Sequence, residues 1–349
     1  MKAVIVGAGL LGASVAYALA KRGIESTVID AGPVAGAASG RSFGWINASF
    51  HLDEAHFRLR VAAMEAWRQV DRDLGGLVDW CGALCFEAQG AELEAQAAKL
   101  EALGYPVEQA DLQIVAERAP GVALPEQCLW FPAEGVIEPD MAARVMLAAS
   151  GARVISGCAV EAVEHEGGRV TGLRLAAGRI EADTVVIAAG VGVRALLAPF
   201  LDLPMVRRPA VLLRTRPVDR FLRTVLVSPW MELRQDALGR IIAPASAGHQ
   251  SDTTERLEAA PGDMAEEAME RMAQVLPGME LALEEVVLAE RPVPGDDQPV
   301  MGAVGPDGLY ACVMHSGATL GAHAGALVAR ELEGEEVPDL ARYRPGRFV

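Results

Sequence analysis

Lysine is nearly missing from this chain. It occurs only as Lys2, Lys21 and Lys99, so arginine carries almost all the positive charge. Positive charge is itself in deficit: 31 basic residues against 47 acidic ones leave a formal net charge of -16. That balance disfavours a nucleic acid or an anionic membrane held by a basic surface. The five cysteines, Cys81, Cys85, Cys128, Cys158 and Cys312, are odd in number and irregular in spacing. They make no disulfide framework and read as free thiols of a reducing compartment. Cys81 and Cys85 would share one helix face, but no His or Cys pair lies nearby, and no metal is expected. No apolar run reaches the ~18 residues of a membrane span. No internal repeat and no low-complexity tail is present. A core strand expected from residue 3 leaves no room for a signal peptide, so a cytoplasmic location is expected.

At 349 residues, 51% of them hydrophobic, the chain is long enough for a large core and for two domains. Its first thirty residues are the most informative. Ala3–Val6 reads as a buried strand, GAGLLG follows at Gly7–Gly12, and an apolar helix continues through Leu19. A second strand, Ser26–Ile29, ends on Asp30. Gly7 permits a tight turn off the strand, Gly9 lets the backbone approach a pyrophosphate, and Gly12 lets the helix pack closely on the sheet. The helix N-terminus offers N–H groups and a positive dipole end to phosphates. Asp30 stands where a carboxylate can take ribose hydroxyls. The pattern predicts dinucleotide binding and leaves FAD and NAD both open.

Beyond it, Pro33–Phe50 is rich in Gly, Ala and Ser and reads as a loop closing over a ligand. Helices are expected at 56–74, with Leu59, Val61, Ala62, Trp67 and Val70 on the apolar positions, and at 91–103, 141–150, 262–276 and 317–332. The segment 119–139 reads as irregular. Strands are expected at 152–156, 159–164, 170–175, 179–182 and 185–189, the last a continuous apolar run ending in Gly190, as in a central parallel strand beside a ligand. From Val206 the pattern becomes antiparallel, with strands at 210–215, 225–227, 231–234, 240–243 and 286–290. A last strand is expected at 309–313. The expected fold class is α/β: a Rossmann-like domain with a mixed parallel sheet (1–75, 140–205 and 291–349) and an antiparallel-sheet substrate domain (76–139 and 206–290).

Taken in order, these motifs resemble the D-amino-acid oxidase superfamily of flavoenzymes, which includes glycine oxidase, sarcosine oxidase and D-amino-acid dehydrogenase. GAGLLG with Asp30 looks like the ADP-binding fingerprint, and ASGRSFGWINA (38–48) like the loop that lines pyrophosphate and flavin. DTVVIAAG (183–190) looks like the second flavin-side strand, ERPVPGDDQPVMG (290–302) like the Arg-Pro segment, and HSGATLGAHAG (315–325) like the closing loop and helix. The resemblance implies FAD rather than NAD. It implies contacts from Gly7, Gly9, Leu10, Leu11, Gly12, Asp30 and Ala31. It adds Ser39, Arg41, Ser42 and Gly44 from the loop, the backbone of Val160 at the adenine, then Ala189 and Gly190. Arg291, Gly317, Ala318, Thr319 and Leu320 complete the set, the last helix pointing its N-terminus at the flavin N1–C2=O edge. No cysteine lies between Cys158 and Cys312, so the FAD is expected to be non-covalent, unlike that of sarcosine oxidases. No lysine follows Lys99, which argues against a lysine-activated oxygen reaction and leaves the electron acceptor, oxygen or another, open.

The implied chemistry is oxidation of an amino acid or related secondary amine, with Arg291 gripping the substrate carboxylate through its guanidinium fork. Arg291 ends the expected strand; its competing role is an ion pair with Glu290 or Asp296. His315 contacts substrate or water, or caps local structure, and Trp45 covers the flavin or packs in the core. Arg234 is either a second anion binder or a solvated strand residue, and Trp230 and Met231 are expected in the core. His51 and His249 are expected at the surface. A 2-hydroxy-acid oxidoreductase with His315 as base is the alternative, as is the FAD subunit of a heteromeric amino-acid or opine dehydrogenase; a homo-oligomer is equally open. A flavoprotein without catalytic activity is disfavoured by the placed arginine.

Overall fold

In the computed structural model the chain is described throughout except at residues 123, 124, 126 and 248–251. The opening strand Ala3–Val6 is central to a six-stranded sheet. Thr184–Ile187 and Ser26–Ile29 flank it in parallel, Leu309–Val313 and Arg153–Ile155 extend the parallel set, and Val300–Ala303 closes one edge antiparallel. The sheet's central strands Ala3–Val6, Thr184–Ile187 and Leu309–Val313 are buried on both faces, which is why they read as largely apolar runs. Side chains alternate across a strand, so Ala3 and Ile5 enter one core while Val4 and Val6 enter another. The first core is closed by the helices Leu10–Lys21, Pro139–Ser150 and Gly317–Leu332. The second is shared with a three-stranded antiparallel meander over Val160–Glu166, Arg169–Leu175 and Gly178–Glu181.

An eight-stranded sheet forms the other half. Its order runs Leu283–Pro294, Met205–Thr215, Ile241–Pro244, Glu232–Gln235, Val225–Val227, Ala83–Cys85, Leu129–Phe131 and Glu108–Gln109. It is antiparallel except where Val225–Val227 lies parallel to Ala83–Cys85. A third core packs it against the helix Pro261–Val275. A small sheet of Trp45–Ile46, Gly135–Ile137 and Val78–Asp79 links the two halves. The α/β architecture, with a mixed parallel sheet and separate antiparallel sheets, is that expected from sequence.

Several local expectations change. The strand expected at 286–290 runs from Leu283 to Pro294, so Arg291 lies inside it, opposite Arg208, and not at its end. Segment 119–139 holds two strands instead of being irregular throughout. Cys85 is in a strand, so Cys81 and Cys85 share no helix face. Val61 is 40% exposed; on the helix Glu54–Leu74 the inner face carries Arg60 in its place.

Candidate active site

The turn after the opening strand is a place where only glycine fits. Gly7 has φ +115°, and a Cβ there would stand 2.3 Å from the Ala188 carbonyl oxygen; at Gly12 it would stand 1.9 Å from the Gly7 oxygen. Gly12 therefore packs the helix onto the turn and does not face a ligand. The Asp30 carboxylate accepts the N–H of Ala8 and of Gly32, each at 2.7 Å, and so fixes the turn from the tip of the second strand. Ser39, brought over by the Gly/Ala/Ser-rich loop, accepts the N–H of Leu10 at 2.9 Å.

Beside this turn opens a cleft of about 810 Å³. Gly7, Gly9, Leu10, Leu11, Asp30 and Ala31 line one part of it, and Val160, Ala189 and Gly190 adjoin them. Ser39, Arg41, Ser42, Gly44 and Trp45 line it from the loop. Arg291, His315, Gly317, Ala318 and Thr319 line it from the chain's last third. Gly12 and Leu320 are the exceptions among the expected contacts: Gly12 packs against the turn, Leu320 is buried in the core of the first sheet, and neither lines the cleft. The helices starting at Leu10 and Gly317 both open onto the cleft, and neither has an acidic residue in its first turn. Their positive dipole ends therefore face the cavity uncancelled. Ser316, at φ +56°, makes the sharp entry into the second of them.

Near the start of the helix Gly317–Leu332 Trp45 is buried, its ring edge-on to Phe50 at 5.4 Å, and its indole N–H has no hydrogen-bond partner among the described residues. The Thr319 hydroxyl donates to the Trp45 carbonyl at 3.1 Å. His315 lies 3.4 Å from the Ser316 hydroxyl through Nδ1. Arg291 is 8% exposed and donates through Nη2 to Asp252 at 2.8 Å and through Nε to the Arg208 carbonyl at 3.0 Å. Its partner is thus neither Glu290, which takes Arg207, nor Asp296, which takes Arg347. Burial pulls the Arg291 guanidinium below its ordinary value while Asp252 opposes that shift. Burial by itself would raise the Asp252 carboxyl, but bonds from Thr254 and the charge of Arg291 bring it below the ordinary range.

Arg234 is neither solvated nor available to an anion: it is buried and its fork closes on the Glu138 carboxylate, Nη2 to Oε2 at 3.0 Å. Met231 is in the core, but Trp230 is 39% exposed and is not. His51 is half-buried against Phe57, at 5.2 Å, instead of on the surface, and burial lowers its pKa. His249 lies outside the described residues.

Sequence reasoning missed a polar group under Trp45. Arg60 is 3% exposed, donates to the Asn47 carbonyl at 2.8 Å and Asn47 Oδ1 at 2.7 Å, and lines the cleft with Asn47. Glu134 is fully buried; it accepts from the Tyr105 hydroxyl at 2.9 Å and the Ser49 N–H at 3.1 Å. The available signal was an arginine three and four residues from Phe57, Ala63 and Met64, on a face that continues to Trp67.

The profile of the DAO family, described as FAD dependent oxidoreductase, matches residues 2–331. The chain belongs to this family. A curated relative, the tRNA 5-methylaminomethyl-2-thiouridine biosynthesis bifunctional protein MnmC of Methylibium petroleiphilum, is 34% identical over 210 residues. That match takes in 56% of this chain and only 31% of the relative, so the chain spans about a third of the length of such a protein. Among solved structures, L-proline dehydrogenase from P. horikoshii superposes with a TM-score of 0.87 at 20% identity, covering 99% of this chain and 97% of the other. Glycine oxidase from Geobacillus kaustophilus superposes with 0.86 at 21% identity, covering 100% and 99%. The chain is an FAD-dependent oxidoreductase of this fold.

The residues present fit FAD. The glycine turn, Asp30 and the two acid-free helix starts suit a diphosphate and its ribose. The orphaned Trp45 indole N–H beside the second helix start is a buried donor awaiting an acceptor, as the polar edge of a flavin would supply. Among the described residues no group of His, Cys, Asp and Glu is placed to hold a metal, and no helix is long and apolar enough to cross a membrane.

Proposed function

We propose that the chain oxidises the C–N bond of an amino acid or related secondary amine. The observation that carries this reading is Arg291, a buried cation on the cleft wall whose Nη2 already holds one carboxylate oxygen, that of Asp252. A substrate carboxylate takes the place of Asp252 at Nη2, a charge-assisted grip. Fixing the carboxylate fixes the substrate carbon, and positioning is most of what this reaction asks of the protein. FAD, non-covalently bound, supplies the hydride acceptor at N5. The amine, unprotonated, contributes its lone pair to form the C=N bond as hydride leaves, and water then hydrolyses the imine to a keto acid or aldehyde. His315 and Trp45, at the same end, contact the substrate side and shield it from water. Among the described residues no lysine lines the cleft, so a lysine-assisted oxygen reaction is not part of this reading. Nor is the tRNA role in the relative's name, because a chain of net charge -16 repels a polyanion.

The test is anaerobic visible absorbance of the FAD-loaded protein with D- and L-amino acids, N-alkyl amino acids and 2-hydroxy acids. Bleaching by an amino acid or N-alkyl amino acid is expected, and readmitted air then distinguishes oxygen from another acceptor. Bleaching by 2-hydroxy acids alone overturns the reading. Arg291→Met is expected to raise the half-saturating concentration roughly 10- to 100-fold, and Asp252→Asn to lower it by removing the competing carboxylate.

A further inference from the structure

Arg60 is an uncommon object, a cation buried inside a helix face and paired with nothing negative. Its Nε and Nη2 bond the Asn47 carbonyl and Asn47 Oδ1, with Thr319 Oγ1 at 3.4 Å from Nη2; all three acceptors are neutral. Among the described residues no carboxylate lies within ion-pair distance of it. Glu134 acts on Arg60 only through space, and burial holds that carboxyl up at about 7. Burial lowers Arg60 itself to about 10, which leaves it charged at neutral pH. A buried charge without a partner is costly, and the usual resolution is an adjacent counter-charge. Arg60 and Asn47 both line the cleft, which leaves that side open to a counter-charge.

Two sources of positive potential therefore converge on that end of the cleft: the Arg60 charge and the start of the helix Gly317–Leu332, joined through Thr319. Trp67 adds rigidity, its indole N–H donating to the Ala318 and Thr319 carbonyls at 2.9 Å. The asparagine in contact with the guanidinium is the informative choice. It holds the side chain as firmly as an aspartate would but does not cancel its charge.

We infer that Arg60 is a positioning residue that supplies fixed positive charge to the reduced, anionic form of the flavin, and that Asn47 holds it in place without neutralising it. This rests on the flavin-end reading of the cleft made above. Its effect is to make the bound FAD a better hydride acceptor, since an electron pair delivered to the ring is met by charge already in place in a site of low dielectric.

The probe is sulfite, which adds to a bound flavin as an anion and bleaches its visible absorbance, so its dissociation constant reports how well the site holds negative charge on the ring without any turnover. The FAD-loaded wild type is expected to bind sulfite. Arg60→Met and Asn47→Asp are each expected to weaken it by about tenfold or more, the scale on which one unit charge acts in a site of intermediate dielectric. Arg60→Lys is expected to keep most of the affinity. Asn47→Asp keeps the clamp and sets a carboxylate against the guanidinium, so wild-type sulfite affinity in that variant overturns the inference. Arg60→Met adds no negative charge and so separates loss of the Arg60 charge from the new carboxylate's own repulsion of the anion. An FAD-loaded Arg60→Met protein with wild-type affinity also overturns the inference, as does an Arg60→Lys protein as weak as Arg60→Met. A wild type that FAD cannot colour overturns the flavin reading itself, and this inference with it.

Discussion

Glu134 lies wholly inside the molecule, beneath the segment that carries Trp45 and Asn47. Burial pushes its carboxyl from an ordinary 4.5 up to about 7, against the bonds from Tyr105 and from the Ala48 and Ser49 N–H groups. Between those two values the folded chain keeps a proton that the unfolded chain has lost. The associated stability is fully present below about pH 4.5 and is lost as pH rises to about 7, a change on the order of 3 kcal/mol. Glu134→Gln keeps an acceptor for Tyr105 and removes the titration. Urea unfolding of both proteins at about pH 5 and about pH 8 is expected to show a wild type that weakens relative to the variant at the higher pH. A difference between the two proteins that stays constant with pH would place the ionisation elsewhere. None of this was legible in the sequence. Glu134 sits in a Pro- and Gly-containing stretch whose place is set by the pairing of Gly135–Ile137 with Trp45–Ile46 and with Val78–Asp79, both far away in sequence. Arg234 misled for the same reason: what decides whether a strand arginine is solvated is the carboxylate opposite it, here Glu138, 96 positions away.

At the level of elements, the opening and closing helices are the pair that brings the two ends of the site together. They cross where Gly325 meets Ser14: a Cβ on Gly325 would lie 2.5 Å from the Ser14 carbonyl carbon and oxygen. Both atoms are backbone, so the clash is relieved only by moving a helix. Gly325→Ala is expected to cost about 1–3 kcal/mol despite the better helix propensity of alanine. Thermal unfolding should shift down by a few degrees while the visible spectrum of bound FAD is retained, because Gly325 is outside the cleft lining. An unchanged midpoint would mean that the crossing has slack. Those two helices were legible from sequence, the last one to the residue, because glycine, caps and apolar composition are local signals. The three-residue strands Ala83–Cys85 and Leu129–Phe131 were not. Three residues carry no readable alternation, and Ala83–Cys85 pairs with Val225–Val227, some 140 positions on. Arg291 does line the cleft even though its strand was drawn too short, since the Arg-Pro motif does not depend on where the ladder stops.

For the whole molecule, the cleft wall is assembled from residues 6–60, from stretches near residues 160, 190, 210 and 290, and from residues 312–319, so a ligand filling it would touch segments far apart in the chain. The strands Met205–Thr215 and Leu283–Pro294 run side by side from one half of the molecule to the other, pairing from Met205 with Pro294 to Thr215 with Leu283. The expected domain limits after residues 205 and 290 both fall within these two strands, so the ladder crosses each limit without a break. A continuous ladder couples the halves mechanically, and a ligand seated across the wall couples them thermodynamically. Unfolding is therefore expected as one cooperative transition whose midpoint climbs with free FAD, the added stability reaching about 2.7 kcal/mol at a hundredfold excess over the dissociation constant. Calorimetry of apo and FAD-loaded protein reads this directly. Two transitions, of which FAD moves only one, would show instead that the antiparallel half folds as a separate unit and that the strand pair is a hinge between domains.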